Sequence, residues 1–363
     1  MQAATIHEGE EAFRLEELPL PEVGDDDVLV KVEVVGLTRG ALSLWRARGR
    51  MRIFPHVLGY ENAGTIAAVG SAVRNVQPGD RVRVHPVLHC RDCYYCRTDR
   101  EPMCAAVAVS GGAAYSDAAM PMYERYHNGG LAEYLKAPSW NIDPIADNVP
   151  FDAAARVHST AVAFRAIRLT EPVHGSTLVV NAATGGVGSA AVACASLFGF
   201  ARIIAVSRSR AGLEGSAGLA PGLVQVVPTE ELGDGSLGEA ILAANGGKPV
   251  DAVVDFMPGS PEVTIAAIMS MRKGATAVLA GGNYGELAFP YGRIMQNGWR
   301  IIGSNGYVRR DARELLSLMA AGRLDLQPIV THRFPLPRVN DAADAIWQRK
   351  GAPRFVNVHP QPA

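Results

Sequence analysis

The sequence predicts an α/β protein in which a doubly wound parallel sheet is joined to a second, β-rich domain, and three observations carry that reading. Up to about residue 100, short apolar runs alternate with turns, as in Val28-Leu29-Val30-Lys31-Val32-Glu33-Val34-Val35 and Gly64-Thr65-Ile66-Ala67-Ala68-Val69-Gly70. From about Phe151, Ala-rich helical segments alternate with short apolar runs at 177–181, 202–206, 250–255 and 276–280. A glycine turn, Ala183-Thr184-Gly185-Gly186-Val187-Gly188, follows the first of those runs. Period-2 alternation broken by Gly and Pro describes a small barrel-like β domain. A β-α-β order calls for a parallel sheet with helices on both faces.

The stretch from Thr177 to Arg208 reads as strand, glycine turn, helix and strand. Such a turn lets the backbone approach a pyrophosphate at a helix N-terminus, where unpaired N–H groups favour an anion. The first position of the G-x-G-x-x-G pattern is Ala183, so the flanking strand and helix carry most of the signal. The last sixty residues predict a helix around Arg310 to Ala321, another around Val339 to Arg349, and a closing strand near Arg354 to Val358 that rejoins the first domain. The expected division is residues 1–159 with 303–363 as one domain and 160–302 as the dinucleotide-binding one.

With 363 residues, 48% hydrophobic and 20% charged, the chain can bury two cores. A formal net charge of −1 gives no reason to expect nucleic acid or an anionic membrane as partner. No run of eighteen apolar residues suggests a membrane span. Glu8, Glu10 and Glu11 break the basic-then-apolar order of a secretory signal, so a cytoplasmic protein with a small-molecule substrate is expected.

The most specific signal is Cys90-x2-Cys93-x2-Cys96-x7-Cys104. Four thiolates close a tetrahedral shell around one zinc and leave no position for a substrate, which makes the predicted site structural. Cys194 stands apart, in the predicted helix after the glycine turn, and reads as a small core residue.

Taken together, the β-rich front, the cysteine spacing, the glycine turn and the returning tail resemble the zinc-type medium-chain dehydrogenase/reductase superfamily. Pro55-His56-Val57-Leu58-Gly59-Tyr60-Glu61, Gly79-Asp80-Arg81-Val82 and Gly129-Gly130-Leu131-Ala132-Glu133-Tyr134 are further family-like stretches. The resemblance implies a GroES-like catalytic domain, a Rossmann domain, a nicotinamide cofactor in the cleft between them, and commonly a homodimer. It also implies that the four cysteines hold the family's structural zinc.

Departures from the family pattern are informative. The superfamily's catalytic zinc hangs on a Cys, a His in a Gly-His-Glu stretch, and a later Cys or carboxylate. At the matching places stand Thr38, Tyr60 and His158. A hydroxyl, a phenol and one imidazole make a poor zinc shell, and no catalytic zinc is expected. Glu61 with His158 offers only two ligands for an ion. Where the fold binds the adenosine ribose, the second strand ends Ser207-Arg208 with no carboxylate, which predicts NADP(H). Arg39 and Arg354 match family positions at the pyrophosphate, Gly185, Gly186 and Val187 form the turn, and Gly281-Gly282 match the approach to the nicotinamide.

Without a metal to stabilise an alkoxide, the expected hydride acceptor is a conjugated C=C bond, which spreads charge into an enolate. Tyr60 is the expected proton or hydrogen-bond donor, with His158 and Thr38 as relay or orienting groups. An alcohol dehydrogenase or carbonyl reductase and a non-catalytic cofactor-binding protein are the alternatives. Trp45 is read as a wall of the substrate site. The aromatic-rich segment from Ala105 to Asn128 is read as an irregular loop over the cleft or at a subunit contact.

Overall fold

The computed structural model describes residues 1–46, 51–349, 351–352 and 354–362. The chain forms two compact units, Met1–His158 with Val308–Ala363, and Ser159–Tyr307.

The first unit is organised on the eleven-residue strand Asp27–Leu37. Nine of its eleven residues are buried, and only Lys31 and Glu33, flanking the buried Val32, stay partly exposed. It pairs antiparallel with Glu61–Val69, with Tyr134–Pro138 and with the closing strand Phe355–His359. Because Val356 lies opposite Leu37, the last strand is inserted into the sheet begun near the N-terminus. Arg81–Val84 and Ile142–Pro144 extend the sheet on one side, and Val330–Pro335 extends it on the other. Leu58, Leu131, Val356 and Val358 fill the core against it.

In the second unit six strands run parallel, in the order Val224–Pro228, Arg202–Ser207, Thr177–Asn181, Val250–Asp255, Met271–Leu279 and Arg300–Gly303. The chain therefore winds outward from Thr177–Asn181 in both directions. Such an order reverses beside the first strand, and the crevice at the strands' carboxyl ends is where these sheets bind ligands. Every residue of Thr177–Asn181 is buried, as expected of a strand covered on both faces.

Residues 105–128 are not an irregular loop. They contain the short strand Ala108–Val109, which pairs with Val87–Leu88, and the helix Met120–Tyr126. Ala108, Ala114, Ala119, Tyr123 and Tyr126 pack with Leu88 in a satellite core, and the Tyr126 hydroxyl donates to Asp27 Oδ1 at 2.6 Å. The tyrosines point inward because positions three apart share a helix face. Among the described residues no helix is long and apolar enough to cross a membrane.

Candidate active site

Three sequence-predicted groups come together at one end of the strand Asp27–Leu37. In the pairing of that strand with Glu61–Val69, Gly36 lies opposite Glu61, so Thr38 and Tyr60 leave the sheet side by side. Gly59, with φ of +106°, turns the chain into Tyr60 where an L side chain is strained, and a Cβ there would press within 2.7 Å of Val35. The Tyr60 hydroxyl lies 2.8 Å from Thr38 Oγ1, which also accepts the Ala41 amide at 3.0 Å and so caps the helix Arg39–Arg46. His158, in the first turn of the helix Val157–Leu169, sets its ring 5.0 Å from that of Tyr60, tilted by 53°.

The surroundings fix the protonation of these groups. Burial, with the neighbouring Glu61 carboxylate adding, holds the Tyr60 phenol well above its ordinary range, and the Thr38 hydrogen bond offsets part of this. Burial also depresses His158 to about 3, with Arg83 and Arg156 adding. At neutral pH the site therefore presents a protonated phenol and a neutral imidazole, a donor and an acceptor.

Three buried titratable groups that sequence reasoning passed over, Arg156, Arg83 and His85, lie near enough to act on His158 or be acted on by it. Arg156 Nη1 lies 2.8 Å from Glu61 Oε2, both side chains fully buried, with the guanidinium 4.2 Å over the Phe355 ring. Arg83, also buried, pairs with Asp143 at 3.0 Å, and Asp143 in turn receives Arg309 and Arg313. His85 is wholly buried and held well below its ordinary value by burial and by Arg83 and Arg309. No local pattern announces these partners, which come from separate strands and helices.

This donor set does not fit a catalytic zinc. Only His158 among Thr38, Tyr60 and His158 is a ligand type that zinc ordinarily takes, and the Glu61 carboxylate is engaged by Arg156. The cysteines do fit a metal. The sulfurs of Cys90, Cys93, Cys96 and Cys104 all lie within 4.8 Å of one another, with neighbouring pairs at 3.5, 3.6 and 3.8 Å. Four sulfurs about 2.3 Å from a tetrahedral zinc are about 3.8 Å apart.

Trp45 lies in the core cluster against which Tyr60 also packs. It is 9% exposed, packs its ring 4.8 Å from Phe13 and belongs to the unit's core. Arg39 is exposed and lies 4.9 Å over the Trp347 ring. Arg354, half-buried, precedes the closing strand and is tied through its amide to Thr331 Oγ1 at 3.1 Å.

In the second unit, Ala182 takes a left-handed φ of +56° at the end of its strand, and Gly185 caps the helix Gly186–Ala195. A side chain at Gly188 would overlap the Ala182 carbonyl oxygen, so the third glycine of the pattern serves close strand–helix packing. Val187 lies in the first turn of that helix. Gly281 passes so close to Met257 that a Cβ would come within 2.8 Å of its amide nitrogen, and Gly282 follows in the open. At the far end of the neighbouring strand, Ser207 Oγ lies 2.7 Å from Thr184 Oγ1. Arg208 is exposed with no ion pair among the described residues, whereas Arg210 is bound twice to Glu231, at 2.7 and 2.6 Å.

A β domain with a four-cysteine lobe and a parallel dinucleotide-type sheet define a two-domain oxidoreductase. Residues 24–147 match the alcohol dehydrogenase GroES-like domain family, and residues 186–321 match the zinc-binding dehydrogenase family. The chain belongs to the zinc-type medium-chain dehydrogenase/reductase superfamily. It is 29% identical to L-galactonate-5-dehydrogenase of Escherichia coli, over 89% of this chain and 88% of that protein. With the sorbitol dehydrogenase of Bacillus subtilis it shares 28% identity, over 99% and 97% of the two chains. Its fold superposes on the alcohol dehydrogenase TADH from Thermus sp. ATN1 with a TM-score of 0.86 at 23% identity, covering 99% and 100%. The two sequence relatives are named as dehydrogenases of a sugar acid and a polyol, which overturns the expectation that the hydride goes to a conjugated C=C bond.

Proposed function

We propose that this protein interconverts an alcohol and its ketone or aldehyde with NADP(H), using Tyr60, Thr38 and His158 in place of a catalytic metal. The observation that carries the reading is the Tyr60–Thr38 hydrogen bond beside a neutral His158. Thr38 accepts the Ala41 amide and donates to the phenol oxygen, which leaves the Tyr60 proton free for a substrate oxygen. When bound, the nicotinamide gives or takes the hydride. In the reducing direction Tyr60 gives its proton to the oxygen of the reduced carbonyl and Thr38 steadies the phenolate left behind; oxidation is the same step in reverse, the Tyr60 oxygen taking the substrate hydroxyl proton while the neutral His158 accepts a hydrogen bond that orients the substrate. A missing Lewis acid does not require a charge-spreading substrate, because a preorganised donor at the carbonyl oxygen serves the same need.

Polyols and sugar acids enter as the first substrates to try, because two of the relatives are named for them. NADP(H) is favoured by Ser207 and the unpaired Arg208, where a carboxylate would repel a 2′-phosphate. One structural zinc per chain is favoured by the four sulfurs, and absence of a second by the poor ligand set at Thr38, Tyr60 and His158. The test is NADP⁺ reduction with polyols, sugar acids and secondary alcohols, and NADPH oxidation with the matching ketones, alongside zinc analysis. Turnover by the native chain that Tyr60→Phe abolishes supports the reading. Binding of NADPH with no turnover of any alcohol or ketone would sink it, as would two zinc ions per chain.

A further inference from the structure

The Glu61–Arg156 ion pair is expensive to bury and has no counterpart in the chemistry assigned above. Both side chains are withdrawn from solvent, and a buried pair recovers the cost of desolvation only with close geometry. The surrounding chain is built to admit it. A Cβ on Gly36 would lie within 2.6 Å of Glu61 Oε2 and closer still to the Arg156 guanidinium, so the absent side chain is the space the pair occupies. The Phe355 ring closes the other side. Glu61 directly follows Tyr60, and Arg156 precedes His158 by one intervening residue, so the pair ties together the two segments that carry the phenol and the imidazole.

We propose that Arg156 is a positioning residue that replaces a metal in organising this site. Its guanidinium engages the one nearby carboxylate, keeps a second cation out, and through Glu61 holds Tyr60 against His158. In a metal site one ion draws ligands from separate segments into register; here the ion pair does so across Gly36.

Two experiments test this. The first rests on the alcohol–ketone reading and compares kcat and KM. Replacing both partners, Glu61→Leu with Arg156→Leu, leaves no orphan charge and is expected to fold. Its kcat should fall by about tenfold or more with KM changed far less, because misplacing a catalytic group costs rate before binding. Arg156→Lys keeps the charge but loses the planar fork, and should show a smaller fall in kcat at an unchanged melting temperature. It decides the matter if the double variant does not fold. Native kcat in either folded variant would overturn the proposal.

The second experiment needs no activity and so remains decisive if the native chain turns over no alcohol. Zinc is counted per chain in Thr38→Cys/Tyr60→His and in the same protein carrying Arg156→Leu as well. The expected result is no zinc beyond that of the native chain while Arg156 is present, and one more when it is removed. Uptake of the additional zinc with Arg156 intact, or no gain on its removal, would overturn the proposal.

Discussion

The hydroxyl of Tyr60 and Oγ1 of Thr38 are 2.8 Å apart, with Thr38 itself anchored by the Ala41 amide. With Thr38 donating, as the proposed mechanism requires, the phenol is held from behind and its own proton is left for a substrate oxygen. Tyr60→Phe removes the donor while keeping the ring against His158, so kcat should drop by about 10²- to 10⁴-fold, the usual worth of a positioned acid or base. Thr38→Val leaves the phenol in place without its anchor and should cost about tenfold. Steady-state kinetics with melting temperatures unchanged within a few degrees check both.

The proposed preference for NADP(H) rests on the end of the strand Arg202–Ser207. Arg210 is already committed to Glu231, and Ser207 is engaged by Thr184, which leaves Arg208 as the guanidinium for a 2′-phosphate. Arg208→Ala should weaken NADPH by about tenfold or more, the loss of one charge-assisted hydrogen bond, and leave NADH unchanged. Fluorescence titration with both cofactors measures it. Equal weakening of both would show that the arginine acts on the shared part of the dinucleotide.

Histidines depressed by burial, His56, His85 and His158 among them, make the fold sensitive to acid. Burial depresses His56 to about 3, with His127 adding, and His158 also to about 3. His56 is fully buried, and neither ring nitrogen has a hydrogen-bond partner among the described residues. In the unfolded chain these imidazoles take up protons near the ordinary value of 6.5, whereas in the fold they stay neutral until near 3. The unfolded state therefore binds more protons across that window, and stability falls as pH drops from about 6.5 toward 3. Each such histidine contributes up to about 1.4 kcal/mol per pH unit. Urea unfolding at pH 7 and pH 5 should show the loss, and His56→Phe should make it smaller. A pH-independent midpoint would refute the depressed values.

The fold was legible because its signals are local. Buried strands show as apolar runs, and the cysteines fall within one short stretch. The cluster of Thr38, Tyr60 and His158 was legible only because the family pattern aligns those positions. What was hidden depends on distant chain segments meeting. Glu61 reads as half of an incomplete ion site and Arg156 as an ordinary surface charge until Gly36 is seen to leave room for the pair. Trp45 carried no mark separating a core ring from a cleft wall, and its partner Phe13 lies in another segment. Residues 105–128 read as an irregular, aromatic-rich loop, although Tyr123 and Tyr126 had the spacing of a helix face.

The cysteine lobe makes a prediction about folding. Its sulfurs are already at tetrahedral spacing, yet the helix Tyr94–Arg97 has only four residues and none of them is buried, so little apolar packing holds the lobe closed. A metal bound there would supply that closure, since zinc binding by such sites is worth roughly 10–16 kcal/mol in small peptides. The lobe is joined to the rest through Glu101, which accepts the Arg309 amide, and through Trp140, whose backbone oxygen accepts the Arg309 guanidinium. Opening the lobe should therefore disturb the start of the helix Arg309–Ala320 as well. Cys93→Ser, or a chelator strong enough to strip zinc, should lower the melting temperature by several degrees and raise amide exchange at 90–104 and around Arg309. The glycine turn at Gly185 should keep its protection, because its contacts run to Ala182 and Ser189. Exchange measured by mass spectrometry, with zinc restored as the control, separates this from general unfolding.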